Sequence, residues 1–151
     1  MDWKDRSTCI LFGDGAGAVV LRAEEGESYH MVTHSDGSKG EALTCDTGSF
    51  MKMDGQEVFK FAVRQVPACI AEVMEHNHLM AEDIDYFILH QANRRIVEAV
   101  AKRMKVELTK FPMNLQEYGN TSSASIPLLL DEMNREGRLK KGQKLVLAGF
   151  G

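Results

Sequence analysis

The sequence has no apolar run close to the roughly 20 residues that a membrane-spanning helix needs. Its first residues, MDWKDRST, contain no apolar signal-peptide segment. It also lacks the basic excess that is typical of nucleic-acid-binding proteins, because its formal net charge is −4. These absences predict a cytoplasmic protein that does not span a membrane and does not have nucleic acid as its main partner.

Cysteine is also scarce, with Cys9, Cys45 and Cys69 as the only three. They are odd in number and lack CxxC or Cys/His spacing, so we predict neither a disulfide framework nor a zinc site. His30 and His34 lie four apart on a segment predicted to be extended, but no third ligand is near them in sequence. We therefore predict no metal site.

The chain has 151 residues, of which 44% are hydrophobic, which is enough for one domain with a real core. Two β-rich runs, 8–12 and 16–21, are separated by Gly13, Asp14 and Gly15, and this pattern predicts a hairpin. The glycine spacing is GxGxG, not GxGxxG, and β-branched residues follow it. A tight turn is therefore favoured over a phosphate-binding loop.

The rest of the chain alternates between strand and helix patterns. The predicted elements are a strand at 29–34, a surface loop at 35–49, a helix at 54–78, a strand at 86–89, a helix after His90 that reaches Met104, a strand at 109–115, a helix at 123–136 and a strand at 144–147. Pro67 predicts a kink in the longest helix, and Gly137 predicts the end of the helix before it. This alternation predicts an α/β fold, in which helices pack on a mainly parallel sheet.

His90 and Asn120 are the candidate site residues. His90 directly follows a predicted strand, and Asn120 precedes a serine-rich turn into a helix, so both are expected at the carboxyl edge of the sheet. An imidazole and a carboxamide that converge there can donate hydrogen bonds to a carbonyl oxygen that becomes negative in a transition state. Taken alone, His90 is more often a structural histidine, and Asn120 a turn residue or helix cap.

Four motifs occur in order: ILFGDGAGAVVL at 10–21, HQAN at 90–93, GNTSSAS at 119–125 and LAGFG at 147–151. Together they resemble the ketoacyl-acyl-carrier-protein synthase III family of the thiolase superfamily. The resemblance covers essentially the whole chain and roughly the second half of such an enzyme. It implies that residues 1–28 are the closing hairpin of the N-terminal thiolase-like half, and that residues 29–151 are the C-terminal thiolase-like domain.

The resemblance implies an activity. In this family a primer acyl group from acyl-coenzyme A is held on a cysteine, malonyl-acyl-carrier protein is decarboxylated, and the resulting carbanion attacks the acyl thioester. His90 and Asn120 fall on the catalytic histidine and asparagine, and Gly55 and Asn93 are placed beside the pantetheine arm of the substrate. No cofactor is implied, since the coenzyme A thioester and malonyl-acyl-carrier protein are substrates. The family's nucleophile lies in the first half, so this chain alone is expected to be inactive.

The helix after His90 is basic, and Arg95 and Lys102 share one of its faces. Such charges are usually a solvated face, but the resemblance implies that this region docks the acidic acyl carrier protein. The residues assigned to docking are Gln91, Ala92, Asn93, Arg94, Arg95, Lys102 and Arg103. The other implied partners are acyl-coenzyme A, the missing N-terminal half and, at full length, a second copy in a homodimer.

Two alternatives remain at this stage. One is a non-catalytic module that binds only a carrier protein or a partner half. The other is a different thiolase relative, such as a polyketide or hydroxymethylglutaryl-type synthase, which the wording of HQAN and GNTSSAS disfavours.

Overall fold

The computed structural model describes residues 1–23, 25–26 and 30–151. Its strands and α-helices, in chain order, are β1 (Leu43–Thr44), β2 (Lys52–Met53), α1 (Gly55–His76), β3 (Tyr86–Leu89), α2 (Arg94–Met104), α3 (Leu115–Tyr118), α4 (Ser125–Arg135) and β4 (Leu145–Ala148). Short 3-10 turns occupy Gly37–Ala42, Ala81–Asp83, Leu108–Lys110 and Ser122–Ala124. No helix in the described part of the chain is both long enough and apolar enough to cross a membrane.

The two longest strands, β3 and β4, pair in parallel, with Phe87 opposite Val146 and Leu89 opposite Ala148. Successive side chains of a strand point to opposite faces of the sheet. Both faces of this sheet are covered by helices. Phe87 and Leu89 pack with residues of α1 and α2, whereas Ile88 packs with Leu129 and Met133 of α4. The α/β prediction is therefore confirmed.

Local signals account for the ends of the helices. The Asp54 side chain accepts hydrogen bonds from the backbone N–H groups of Gln56 and Glu57, which caps α1. This helix continues through Pro67, which is buried. At the end of α4, Gly137 adopts a φ of +69°, and the N–H of Arg138 binds the carbonyl of Met133 at 2.9 Å. Gly137 thus ends the helix as predicted.

The predicted hairpin at 8–12 and 16–21 is wrong. Residues 8–11 form turns, and Phe12 makes an isolated parallel bridge with Asn120. The glycines serve close packing, because a Cβ at Gly13 would collide with the carbonyl oxygen of Tyr118, and one at Gly17 would lie 2.6 Å from Cβ of Pro127. This segment therefore lies along residues 118–127, from the end of α3 to the first turn of α4, and does not fold back on itself.

The strand predicted at 29–34 is not observed in the part that the structure describes. Residues 30–34 are not in a strand, and the Nε2 of His34 instead lies 2.7 Å from a carboxylate oxygen of Glu72 on α1. Tyr29 and the predicted domain boundary at 28–29 lie outside the described residues. Within the predicted loop at 35–49, the chain forms a 3-10 turn and then β1, which pairs antiparallel with β2.

Residues 109–115 form parts of a 3-10 turn and of α3, so the strand predicted there is wrong. The Lys110 ammonium donates to the carbonyl oxygens of Ala81, Glu82 and Ile84. Phe111 stacks on Phe87 with ring centroids 4.9 Å apart. These long-range contacts, and the missing N–H of the next residue, proline, hold the segment against the β3 side of the core and not in the sheet.

Candidate active site

An open cleft of about 1540 Å³ lies where the carboxyl ends of β3 and β4 meet the start of α1 and the loop before α4. Its walls include His90, Asn120, Gly55, Asn93 and Phe150. Both predicted catalytic residues therefore face one cleft, at the sheet edge where ligands bind in open α/β folds.

His90 is held from three directions. Its backbone N–H donates to the carbonyl of Ala148 at 2.9 Å, which extends the β3–β4 ladder by one residue. Its Nδ1 lies 2.6 Å from the hydroxyl oxygen of Ser125. The ring meets Phe150 edge-on, with centroids 5.2 Å apart and planes at 68°. Burial lowers the pKa of His90 below 6.5, so the ring is neutral near pH 7.

Asn120 is fixed by its backbone and by its side-chain oxygen. Its N–H donates to the carbonyl of Leu11 at 2.8 Å, and its own carbonyl accepts from the N–H of Gly13 at 3.0 Å. Its Oδ1 accepts from the N–H of Ser122 at 2.9 Å. That contact identifies the oxygen end of the carboxamide and leaves Nδ2 as the end that can donate to a ligand.

Gly119, immediately before Asn120, has φ +68° and ψ −161°, a conformation that is essentially confined to glycine. A Cβ there would also lie 3.1 Å from the carbonyl oxygen of Leu11. The glycine therefore allows the chain to turn and place Asn120 against the Leu11–Gly13 segment.

Gly55 and Asn93, the residues predicted to lie beside the substrate arm, both line the cleft. Gly55 is the first residue of α1, and a Cβ built on it would meet nothing within 4 Å, so its missing side chain leaves open space. Asn93 caps α2, because its Oδ1 accepts from the N–H of Arg95 at 2.8 Å.

The residues predicted to dock a carrier protein separate into a group that a partner can reach and one buried residue. Arg95 and Ala92 line the cleft, and the two cations of the last turn of α2, Lys102 and Arg103, are exposed. Arg94 is exposed and pairs with Glu98 at 2.7 Å. These positions are open to a partner.

Gln91 is not open to a partner, because it is only 1% exposed. Its Nε2 donates to the carbonyl of Leu89 at 2.8 Å, and its Oε1 accepts from the N–H of Asn114 at 3.2 Å. Its side chain therefore links the end of β3 to the residue before α3 within the interior. The prediction that Gln91 contacts a carrier protein is wrong.

None of the three cysteines lines the cleft. Cys69 lies on α1 beside a smaller cavity, and burial raises the pKa of its thiol, which keeps it protonated and weakly nucleophilic. The sulfur of Cys9 lies near the carbonyl of Trp3, and that of Cys45 near the carbonyl of Ser49. In residues 1–23, 25–26 and 30–151, no group of three or more His, Cys, Asp or Glu side chains is placed to hold a metal ion.

Sequence reasoning missed two neighbours of His90. Ser125 closes the GNTSSAS motif and lies within the helix predicted at 123–136, where it is the first residue of α4, but no role at the site was predicted for it. Phe150 follows β4, and the parallel pairing of β3 and β4 brings the residues after both strands together. The shared carboxyl edge of parallel strands was the signal that could have identified Phe150.

The fold and the cleft define an α/β protein of the thiolase class. The chain superposes on the crystal structure of 3-oxoacyl-[acyl-carrier-protein] synthase III from Aquifex aeolicus VF5 with a TM-score of 0.93 and 43% identity, over 99% of this chain and 49% of that one. The corresponding enzyme of Pseudomonas aeruginosa PAO1 gives a TM-score of 0.88 and 40% identity, over 97% of this chain and 49% of that one.

Sequence comparisons agree with the structural ones. The profile of the 3-oxoacyl-[acyl-carrier-protein] synthase III C-terminal region matches residues 74–151, and the synthase III profile matches residues 1–40. The beta-ketoacyl-[acyl-carrier-protein] synthase III of Clostridium novyi (strain NT) is 48% identical over 100% of this chain and 51% of its own length. The chain belongs to the 3-oxoacyl-[acyl-carrier-protein] synthase III family. It spans about half the length of the curated relatives it matches.

Proposed function

We propose that this chain supplies the histidine and asparagine half of a cytoplasmic ketoacyl-acyl-carrier-protein synthase III. The whole enzyme condenses an acyl-coenzyme A primer with malonyl-acyl-carrier protein in the first condensation of fatty acid synthesis. The observation that carries the proposal is that His90 and Asn120 line one cleft. Synthases of this name among the relatives support the choice of reaction.

In the proposed reaction, the bond between the malonyl methylene carbon and its free carboxylate breaks and carbon dioxide leaves. The electron pair moves toward the thioester carbonyl, whose oxygen becomes negative. A neutral His90 and the Nδ2 of Asn120 donate hydrogen bonds to that oxygen and stabilise the enolate. Its carbon then attacks the acyl group held on a cysteine, and the cysteine sulfur leaves as thiolate.

The nucleophile in this proposal comes from the N-terminal half of the enzyme. The support is that Cys9, Cys45 and Cys69 all lie off the cleft, and that the buried thiol of Cys69 has a raised pKa. The 151-residue chain alone is therefore inactive in condensation, and the complete enzyme acts as a homodimer in which both halves are present.

The remaining cleft residues bind the substrate arm and its carrier. The open space at Gly55 and the amide of Asn93 accommodate the pantetheine arm. Ala92, Asn93, Arg94, Arg95, Lys102 and Arg103 form the surface for the acidic carrier protein, and Arg95 is the cation of this set that lines the cleft. Rim charges of this kind act mainly on the rate of association.

One observation favours the alternative of a non-catalytic partner-binding module. Val20 and Leu21 are 98% and 90% exposed, which leaves two apolar side chains available to another chain. Under this alternative the chain binds a partner half or a carrier protein, and condensation does not occur even when the rest of an enzyme is supplied.

A chimera separates the two functions. The first half of the Clostridium novyi relative is joined to residue 1 of this chain, and both the chimera and the chain alone are incubated with radiolabelled acetyl-coenzyme A and malonyl-acyl-carrier protein. We expect covalent labelling and condensation by the chimera, and neither by the chain alone. A chimera that is labelled on cysteine but never condenses favours the binding module. Labelling of Cys9, Cys45 or Cys69 in the chain alone, with turnover, places the nucleophile in this chain.

A further inference from the structure

We propose that Ser125 is a positioning residue, which holds the His90 imidazole in the tautomer that carries its proton on Nε2. The consequence for catalysis rests on the proposed function, in which His90 is a neutral donor in the cleft. The tautomer itself is a property of the folded chain and needs no substrate.

The hydrogen bonds around Ser125 define the direction of its hydroxyl. Ser125 is 2% exposed, so its hydroxyl must find partners within the protein. The backbone N–H of Gln91 donates to the hydroxyl oxygen at 3.2 Å. The hydroxyl proton is then left to donate, and within the described residues the acceptor at hydrogen-bonding distance is Nδ1 of His90, 2.6 Å away.

The opposite tautomer fits this site poorly. With its proton on Nδ1, His90 would donate to an oxygen that already accepts from Gln91, and the buried hydroxyl proton of Ser125 would lose its acceptor. With Nδ1 accepting instead, all three groups are paired. The second ring nitrogen, Nε2, then carries the proton as a donor.

Packing maintains this geometry. Ser125 is the first residue of α4, and α4 is held against β3 by the contacts of Leu129 and Met133 with Ile88. On another side, the edge-on contact of Phe150 restricts rotation of the imidazole. The ring orientation is therefore set by the buried Ser125 on α4 and by the partly buried Phe150 after β4.

The tautomer can be measured by NMR of the chain with isotope-labelled histidine, at about pH 8, where an ordinary histidine with a pKa of about 6.5 is neutral. The imidazole nitrogen shifts distinguish the protonated from the unprotonated nitrogen, and a His90→Gln variant assigns the signals. We expect His90 in the wild-type chain to show the proton on Nε2. In Ser125→Ala we expect a mixture of tautomers, whereas Ser123→Ala, which removes an exposed hydroxyl two residues earlier, leaves the His90 shifts unchanged.

Two results overturn the inference: a wild-type His90 with its proton on Nδ1, or a natively folded Ser125→Ala variant with unchanged His90 shifts. If Ser125→Ala does not fold, the wild-type spectrum still decides, and Ser125→Cys tests the same contact with a weaker donor of similar size. In the chimera, Ser125→Ala is expected to lower the kcat of condensation about tenfold and to leave primer labelling unchanged. A confirmed tautomer in a chimera that never condenses would contradict the proposed function and not the role of Ser125.

Discussion

The guanidinium of Arg95 on α2 lies over the ring of Phe59 on α1, with its central carbon 5.5 Å from the ring centroid. Both residues line the cleft. The contact restrains the arginine side chain at the cleft wall while its charge remains exposed, and a cation–π contact of this kind contributes about 0.5–1 kcal/mol at an exposed site. Arg95 is thus a restrained part of the wall of the cleft that His90 and Asn120 also line.

Charge reversal at Arg95 in the chimera is expected to weaken the use of malonyl-acyl-carrier protein about threefold to tenfold, with little effect on primer loading from acyl-coenzyme A. The reason is that only the former step brings the acidic carrier protein. The measurement compares kcat/KM for the two half-reactions in Arg95→Glu. Arg135→Glu, at an exposed arginine on α4, serves as the control. Equal losses in both half-reactions of Arg95→Glu would rule out a docking role.

The burial of His90 makes a prediction about pH and stability. Its pKa is lower in the folded chain than the ordinary value of 6.5. The unfolded chain therefore takes up a proton at a higher pH than the folded one. The stabilising contribution of the neutral ring is present above the unfolded pKa and is lost as the pH falls through the folded pKa.

Urea unfolding between about pH 8 and pH 5 should show a steeper loss of unfolding free energy in the wild-type chain than in His90→Gln, which does not titrate in this range. His76→Gln, at an exposed histidine, provides the matched control for the removal of one imidazole. Identical slopes for wild type and His90→Gln would show that the pKa of His90 is not lowered by folding.

The stacked pair of Phe87 and Phe111 predicts where the core is most sensitive. Phe111 is 1% exposed, and Phe111→Ala should lower the unfolding free energy by about 3–5 kcal/mol. Phe50→Ala removes the same atoms from a ring that is 55% exposed and should cost less than about 1 kcal/mol. Chemical denaturation of the two variants checks the difference, and similar losses would contradict the placement of residues 109–115 against the core.

Sequence patterns predicted the elements around His90 well. The apolar run at 86–89 and the helical period after it are strong local signals, and β3 and α2 occur where they predict. The residue between them therefore had to lie at a strand end. Parallel pairing of β3 with β4 then places it at the edge where the cleft opens.

The failures share a physical cause, which is contact between segments distant in sequence. A glycine-rich sequence such as 13–17 is compatible with a tight turn and equally with close packing against another segment. Only the position of residues 118–127, which is not visible in the sequence, shows that close packing is the reason here. The strand expected at 109–115 failed because Lys110 binds carbonyls nearly thirty residues earlier in the chain. Asn120 was expected to reach the cleft from a strand at 109–115, which does not form. It lines the cleft nevertheless, and its backbone is held there by a bridge to Phe12.

The central claim is that His90 and Asn120 together stabilise the oxygen of the malonyl thioester, and their removal tests it most directly. In the chimera, His90→Ala and Asn120→Ala are each assayed for release of carbon dioxide from malonyl-acyl-carrier protein and, separately, for covalent primer labelling. We expect each substitution to slow decarboxylation about 100-fold to 1000-fold, as the loss of one oxyanion donor does, and to leave labelling largely intact. Decarboxylation at the wild-type rate in either variant would contradict the account.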